Sequence, residues 1–138
     1  MNFLQRYSTD KTAEEDGQWV DFGDGIEVKL RRLNSVKSRD TRRKLEKPYA
    51  KQFRNQDMPD SVSEMILNNQ LAKAIVVDWK GIPDPEDESK PLPCTEENVL
   101  KIVQDYPDFR EEILQASMER ATFQKEELAA AEKNYKSS

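Results

Sequence analysis

The chain has 138 residues, enough for one moderate core, with 36% hydrophobic residues, 36% charged residues and a net charge of −5. That balance is polar for a folded chain but not polar enough for wholesale disorder, so a thin core under a heavily solvated surface is expected. Histidine is absent and Cys94 is the one cysteine, which excludes a histidine base, a Cys-His pair, the common zinc ligand sets and an internal disulfide, and suits a reducing compartment.

No Gly-rich phosphate loop or nucleophile elbow is present, so the chain reads as neither an enzyme nor a cofactor-binding protein. No run approaches the roughly 18 apolar residues of a membrane span. Met1-Asn2-Phe3-Leu4-Gln5-Arg6 has no apolar core segment, so it does not read as a secretion signal.

Residues 1–16 are polar and weakly patterned and read as a flexible arm. Phe3, Leu4 and Tyr7 are the exception, with helical spacing that could dock on the body or on a partner. Residues 18–30 carry the clearest β signal. Trp19, Val20 and Phe22 lead into Gly23-Asp24-Gly25, and Ile26, Val28 and Leu30 then alternate with Glu27 and Lys29. An Asp-Gly step between β-prone runs predicts a hairpin, because glycine accepts the positive φ of the turn. Two strands alone are marginal, so the hairpin needs a partner.

A basic segment follows. Between Arg31 and Arg54 ten Lys or Arg stand against Asp40 and Glu46, a local charge of +8. Asn34 or Ser35 can cap a helix over about 35–46, and Pro48 breaks it. Leu45, Tyr49 and Phe53 form a narrow apolar stripe. Ser61 with Glu64 reads as a capping box, and Val62, Met65, Ile66, Ala72, Ile75, Val76 and Trp79 recur at helical spacing. These predict a long helix over 61–79, the spine of the domain, stopped by Gly81 and by Pro83 and Pro85. The run Asp84-Pro85-Glu86-Asp87-Glu88 reads as a solvated acidic loop, since it lacks the spacing of a calcium loop.

Thr95, with Glu96 and Glu97 in the first turn, starts a helix over 95–105 that should bury Val99, Leu100, Ile102 and Val103. Pro107 suits the start of a further helix presenting Ile113, Leu114, Met118 and Phe123. Residues 126–138 are helix-prone and expected to fray. The expected architecture is mainly α: one helix-dominated α+β domain over 17–125, with a β-hairpin at 18–30, between the arm and the tail. The hairpin is expected to pack on the 61–79 helix.

The stretch Ile75-Val76-Val77-Asp78-Trp79-Lys80-Gly81-Ile82, the acidic loop, and Pro91-Leu92-Pro93-Cys94-Thr95-Glu96-Glu97-Asn98 resemble the tail assembly chaperones of long-tailed, siphovirus-like bacteriophages. In that family a helix ending near xDWxGI leads through an acidic loop to a PxPxTxEN helix start. The order of parts, with Tyr106-Pro107-Asp108-Phe109 closing the run, is similar over residues 18 to 128. The resemblance implies a protein of the host cytoplasm that coats the tape measure protein, keeps it soluble, helps recruit tail tube protein and is absent from the mature virion. In many family members a longer product made by translational frameshifting carries a second domain.

The residues themselves carry two candidate surfaces. Trp79, Ile82, Leu92, Tyr106 and Phe109 sit in or beside the two loops and could line one groove if the 61–79 and 95–105 helices pack antiparallel, with Trp79 more often core than contact. Arg42, Arg43 and Lys47 belong to the basic segment. That segment is compatible with nucleic acid, through Arg39, Arg42, Arg43, Lys44, Lys47 and Lys51. Residues 84–132, however, hold 14 acids against 5 bases. Contact with acidic helices of its own fold, of a second copy in a homo-oligomer or of a protein partner therefore fits better than nucleic acid or membrane. A small structural tail or connector protein is the alternative function, and a nucleic-acid-binding regulator the third.

Overall fold

A computed structural model of the chain describes residues 1–124; the tail expected at 126–138 lies outside the described residues. The predicted hairpin is present. Strand β1 (Gln18–Gly23) pairs antiparallel with β2 (Ile26–Leu30), and Asp24 and Gly25 both adopt positive φ, 54° and 79°. Those are the left-handed values that match a two-residue turn to the strand twist.

The long 61–79 helix does not exist. Helix α5 spans Asp60–Gln70, a single π turn follows at Leu71–Ile75, and the chain passes directly into strand β3, Val76–Lys80. Strand β3 pairs antiparallel with β2 and completes a sheet of order β1-β2-β3. The partner the hairpin needs is therefore the end of the supposed helix, not its side. Two local forces favour the strand. Ile75-Val76-Val77 is a β-branched run that packs well on a pleated surface. The open edge of β2 also offers hydrogen bonds that a helix face cannot supply. A bulge explains the misleading periodicity. Leu30 pairs with Val76 but Lys29 pairs with Asp78, leaving Val77 as the extra residue. The bulge places Val76 and Trp79, three apart, on one buried face, which imitates helical spacing.

A second antiparallel pair, β4 (Pro83–Asp84) with β5 (Asp87–Pro91), occupies the supposed acidic loop. Asp84 accepts from the Glu86 amide (2.9 Å), and Asp87 accepts from the Ser89 hydroxyl (2.6 Å), so short side chains build the turn. With two sheets among the described residues the fold is mixed α/β, which corrects the mainly α expectation.

The remaining helices follow the sequence more closely. Helix α3 spans Val36–Glu46 with Ser35 as its cap. A 3₁₀ turn follows at Lys47–Tyr49, where Pro48 stands, and leads into α4, Ala50–Arg54. Helix α6 spans Glu96–Asp105, with the Thr95 hydroxyl accepting from the Asn98 amide, and α7 spans Pro107–Met118 with proline in its first turn. The expected Ser61–Glu64 capping box is absent: α5 starts at Asp60 with Pro59 as its cap, and Glu64 pairs instead with Arg110 of α7. The core gathers Val28 and Leu30 of β2, Leu71 and Ile75 of the π turn, Val76 and Trp79 of β3, Val99, Ile102 and Val103 of α6, and Ile113 of α7. Met118 is exposed and Phe123 is buried in a 3₁₀ turn beyond the helix.

The segment read as an arm carries two short helices, α1 (Phe3–Tyr7) and α2 (Lys11–Asp16). The second is tied to the body. Glu14 is buried against the Arg32 guanidinium and accepts from the Thr9 hydroxyl (2.9 Å), and the Asp10 amide donates to the Phe123 carbonyl (2.7 Å). The Glu15 carboxylate accepts from the Val36 amide at the start of α3, where the helix dipole favours an anion.

Candidate functional site: an apolar groove beside an acidic hairpin

Four local features bring the groove together. The hairpin turn of β1–β2 ends at Gly25, and Gly81, the residue after β3, lies directly against it. A β-carbon built on Gly81 would lie 2.1 Å from the Gly25 carbonyl oxygen, and Gly81 has φ +79°, so only glycine fits this crossing. Gly81 thus ends a strand, not a helix. Beyond it the chain runs through Ile82 and Pro83 into β4. From the other side, the junction of α6 and α7 delivers Tyr106 and Phe109, because Pro107 forces a fresh helix start one residue after Tyr106.

The result is an open groove of about 400 Å³ lined by Ile26, Gly81, Ile82, Pro83, Pro85, Ile102, Tyr106 and Phe109, with Glu88 at the side. Phe109 is held by an edge-on contact with Phe22, ring centres 5.9 Å apart at 73°. Ile102 is buried, whereas Tyr106 is 50% exposed.

Of the five apolar residues singled out from sequence, Ile82, Tyr106 and Phe109 line this groove together. Trp79 and Leu92 do not. Trp79 is buried on β3, and its indole N–H donates to the Leu92 carbonyl (2.7 Å), while the Leu92 amide donates to the Ile82 carbonyl (2.8 Å). They fasten the β4–β5 hairpin to the sheet and so position the groove wall. The expected packing of two antiparallel helices is replaced by the meeting of the two hairpins with the α6–α7 corner. Sequence reasoning missed Ile26, Pro83 and Pro85; their signal was the Gly25/Gly81 pair, which marks a close backbone crossing and hence a shared wall.

The basic candidates lie elsewhere, on and just after α3. Arg42 pairs with Glu46 (3.2 Å) and Arg43 with Asp40 (3.1 Å), both exposed, and Lys47 is exposed at the end of the helix. None of the three lines the groove. Cys94 is half-buried, and burial, reinforced by the nearby Asp78 charge, pushes its thiol up to about 11. It stays protonated and unreactive near neutrality. Among the described residues no group of three His, Cys, Asp or Glu side chains is placed to hold a metal ion, and no helix is long and apolar enough to cross a membrane.

The sequence pattern of the family described as YdaY prophage protein matches residues 33–134. The chain belongs to that family. It is a phage-derived protein, and the match takes in α3 to α7, including most of the groove. Comparison with curated proteins gives no match, and neither does comparison with solved structures.

Proposed function

We propose that this protein is a non-enzymatic assembly factor that receives an amphipathic helix of a phage partner in the groove between the β1–β2 turn, the β4–β5 hairpin and the α6–α7 corner. The observation that carries the reading is the apolar lining of that groove, Ile26, Ile82, Pro83, Pro85, Tyr106 and Phe109, on a chain that is otherwise 36% charged. Surface apolar clusters of this kind mark binding sites, and helix-in-groove recognition reads apolar anchors one helical turn apart.

The partner that fits best is the tape measure protein of the same phage, whose long apolar stripes need cover before the tail tube encloses them. Many copies along one partner would let weak single contacts hold through avidity. The same copies would then help recruit tail tube protein and leave before the virion is complete, acting in the host cytoplasm. The phage origin of the family is compatible with this reading and with the alternative of a small structural tail protein; the groove favours the chaperone. The 14 acids against 5 bases over residues 84–132 favour protein contacts over nucleic acid for the basic helix, since they repel phosphates from most approaches.

Co-expression with the tape measure protein of the same phage tests the reading. The expected result is a soluble complex that co-purifies. A tape measure protein that stays equally insoluble with and without this chain overturns it.

A further inference from the structure

Helix α1 is fully capped, yet it carries its apolar side chains in solvent. The Asn2 side chain accepts from the Gln5 amide (2.9 Å), and the Gln5 side chain accepts from the Asn2 amide (3.0 Å), a complete capping box on a five-residue helix. Yet α1 buries none of its own residues: Phe3 is 73% exposed and Leu4 70%. Its far end is fixed to the body. Gln124 donates to the Arg6 carbonyl (2.7 Å), and the Arg120 guanidinium lies over the Tyr7 ring, 4.8 Å from its centre. A short helix capped at one end, clamped at the other and carrying two bare apolar side chains is a preformed hook.

We propose that the hook of one copy docks into the apolar groove of a second copy, placing Phe3 and Leu4 against Ile82, Tyr106 and Phe109. The groove of about 400 Å³ is larger than one side chain needs. Charge agrees: residues 1–9 carry Arg6 and no acid, whereas the hairpin beside the groove carries Asp84, Glu86, Asp87 and Glu88 against Lys90. Docking onto a second copy leaves intact the Gln124 and Arg120 contacts that hold the hook's far end. The contact is heterologous, hook to groove, so it propagates from copy to copy and does not close as a symmetric dimer. It is also far smaller than a standard stable interface, so it is weak and reversible. In this way the groove is shielded until a longer amphipathic helix displaces the hook, an inference that rests on the groove being the partner site.

Sedimentation velocity of the full chain from micromolar to millimolar concentration, with two variants, tests this. The wild type should show a mass that rises with concentration. Phe3→Ser/Leu4→Ser loses the hook and Ile82→Arg/Tyr106→Arg loses the groove, and each alone should stay monomeric. Mixed, they should form one-to-one pairs and nothing larger, since only one hook and one groove remain intact. A wild type monomeric throughout, or association that persists in either variant, overturns the proposal. Capture of the tape measure protein reads the functional proposal separately. The hook variant should still capture and the groove variant should not. A groove variant that self-associates but no longer captures refutes the hook alone; one that captures normally refutes the functional reading.

Discussion

Gly81 is the residue on which the site's shape depends most. Its backbone is left-handed, which costs other residues about 1–3 kcal/mol, and its missing β-carbon leaves room for the Gly25 carbonyl. Gly25 shares the left-handed backbone, φ +79°, but nothing lies within 4 Å of where its β-carbon would stand. Gly25→Ala should therefore show the backbone cost alone, and Gly81→Ala clearly more, by urea denaturation. Equal losses would show that the crossing relaxes freely. Trp79 gives a second residue-scale test. Buried and bonded to the Leu92 carbonyl, it should cost about 3–5 kcal/mol when changed to alanine. Trp79→Phe should cost less but still destabilise, because it leaves a partly buried carbonyl without its donor. An unchanged thermal melt for Trp79→Ala would place the indole on the surface.

At the scale of elements, the clasp between α2 and the segment after β2 makes stability depend on pH. Burial raises the Glu14 pKa, but Arg32, Thr9 and Lys11 together outweigh it, so the carboxyl titrates below its ordinary value of 4.5. A depressed folded value means the stabilisation is present above 4.5 and is lost as pH falls through the lowered folded value. Glu14→Gln should be less stable than the wild type near neutrality, and the gap should narrow on acidification, as followed by thermal melts. A gap that stays constant well below 4.5 would remove Glu14 as the titrating group. How far elements could be read in advance follows from how local their causes are. The Asp24-Gly25 turn, the Ser35 and Thr95 caps and the Pro107 start are set by neighbours in sequence, and each was legible. Strand β3 was not. Its β-branched run competes with a helical period that the bulge at Val77 counterfeits, and the deciding partner, β2, lies far away in sequence. The docking of α2 was hidden for the same reason, since Glu14 meets Arg32 only after folding.

For the whole molecule, three groove residues could be named from the sequence because Ile82, Tyr106 and Phe109 are apolar residues stranded beside loops. Their wall mates Ile26, Pro83 and Pro85 come together only through the sheet and the Gly25/Gly81 crossing. The surface carries two candidate contact regions of opposite charge: basic α3 and the turn after it, bearing Arg42, Arg43 and Lys47, and the groove with its acidic hairpin. Fields of this kind steer encounter more than they fix affinity, so the proposed capture falls to the groove. The measurement that tests this most directly is amide chemical-shift mapping of the labelled chain titrated with an amphipathic helical segment of the tape measure protein. The largest shifts should fall on Ile26, Gly81, Ile82, Ile102 and Tyr106; shifts concentrated on Arg42, Arg43 and Lys47, with the groove silent, would contradict it.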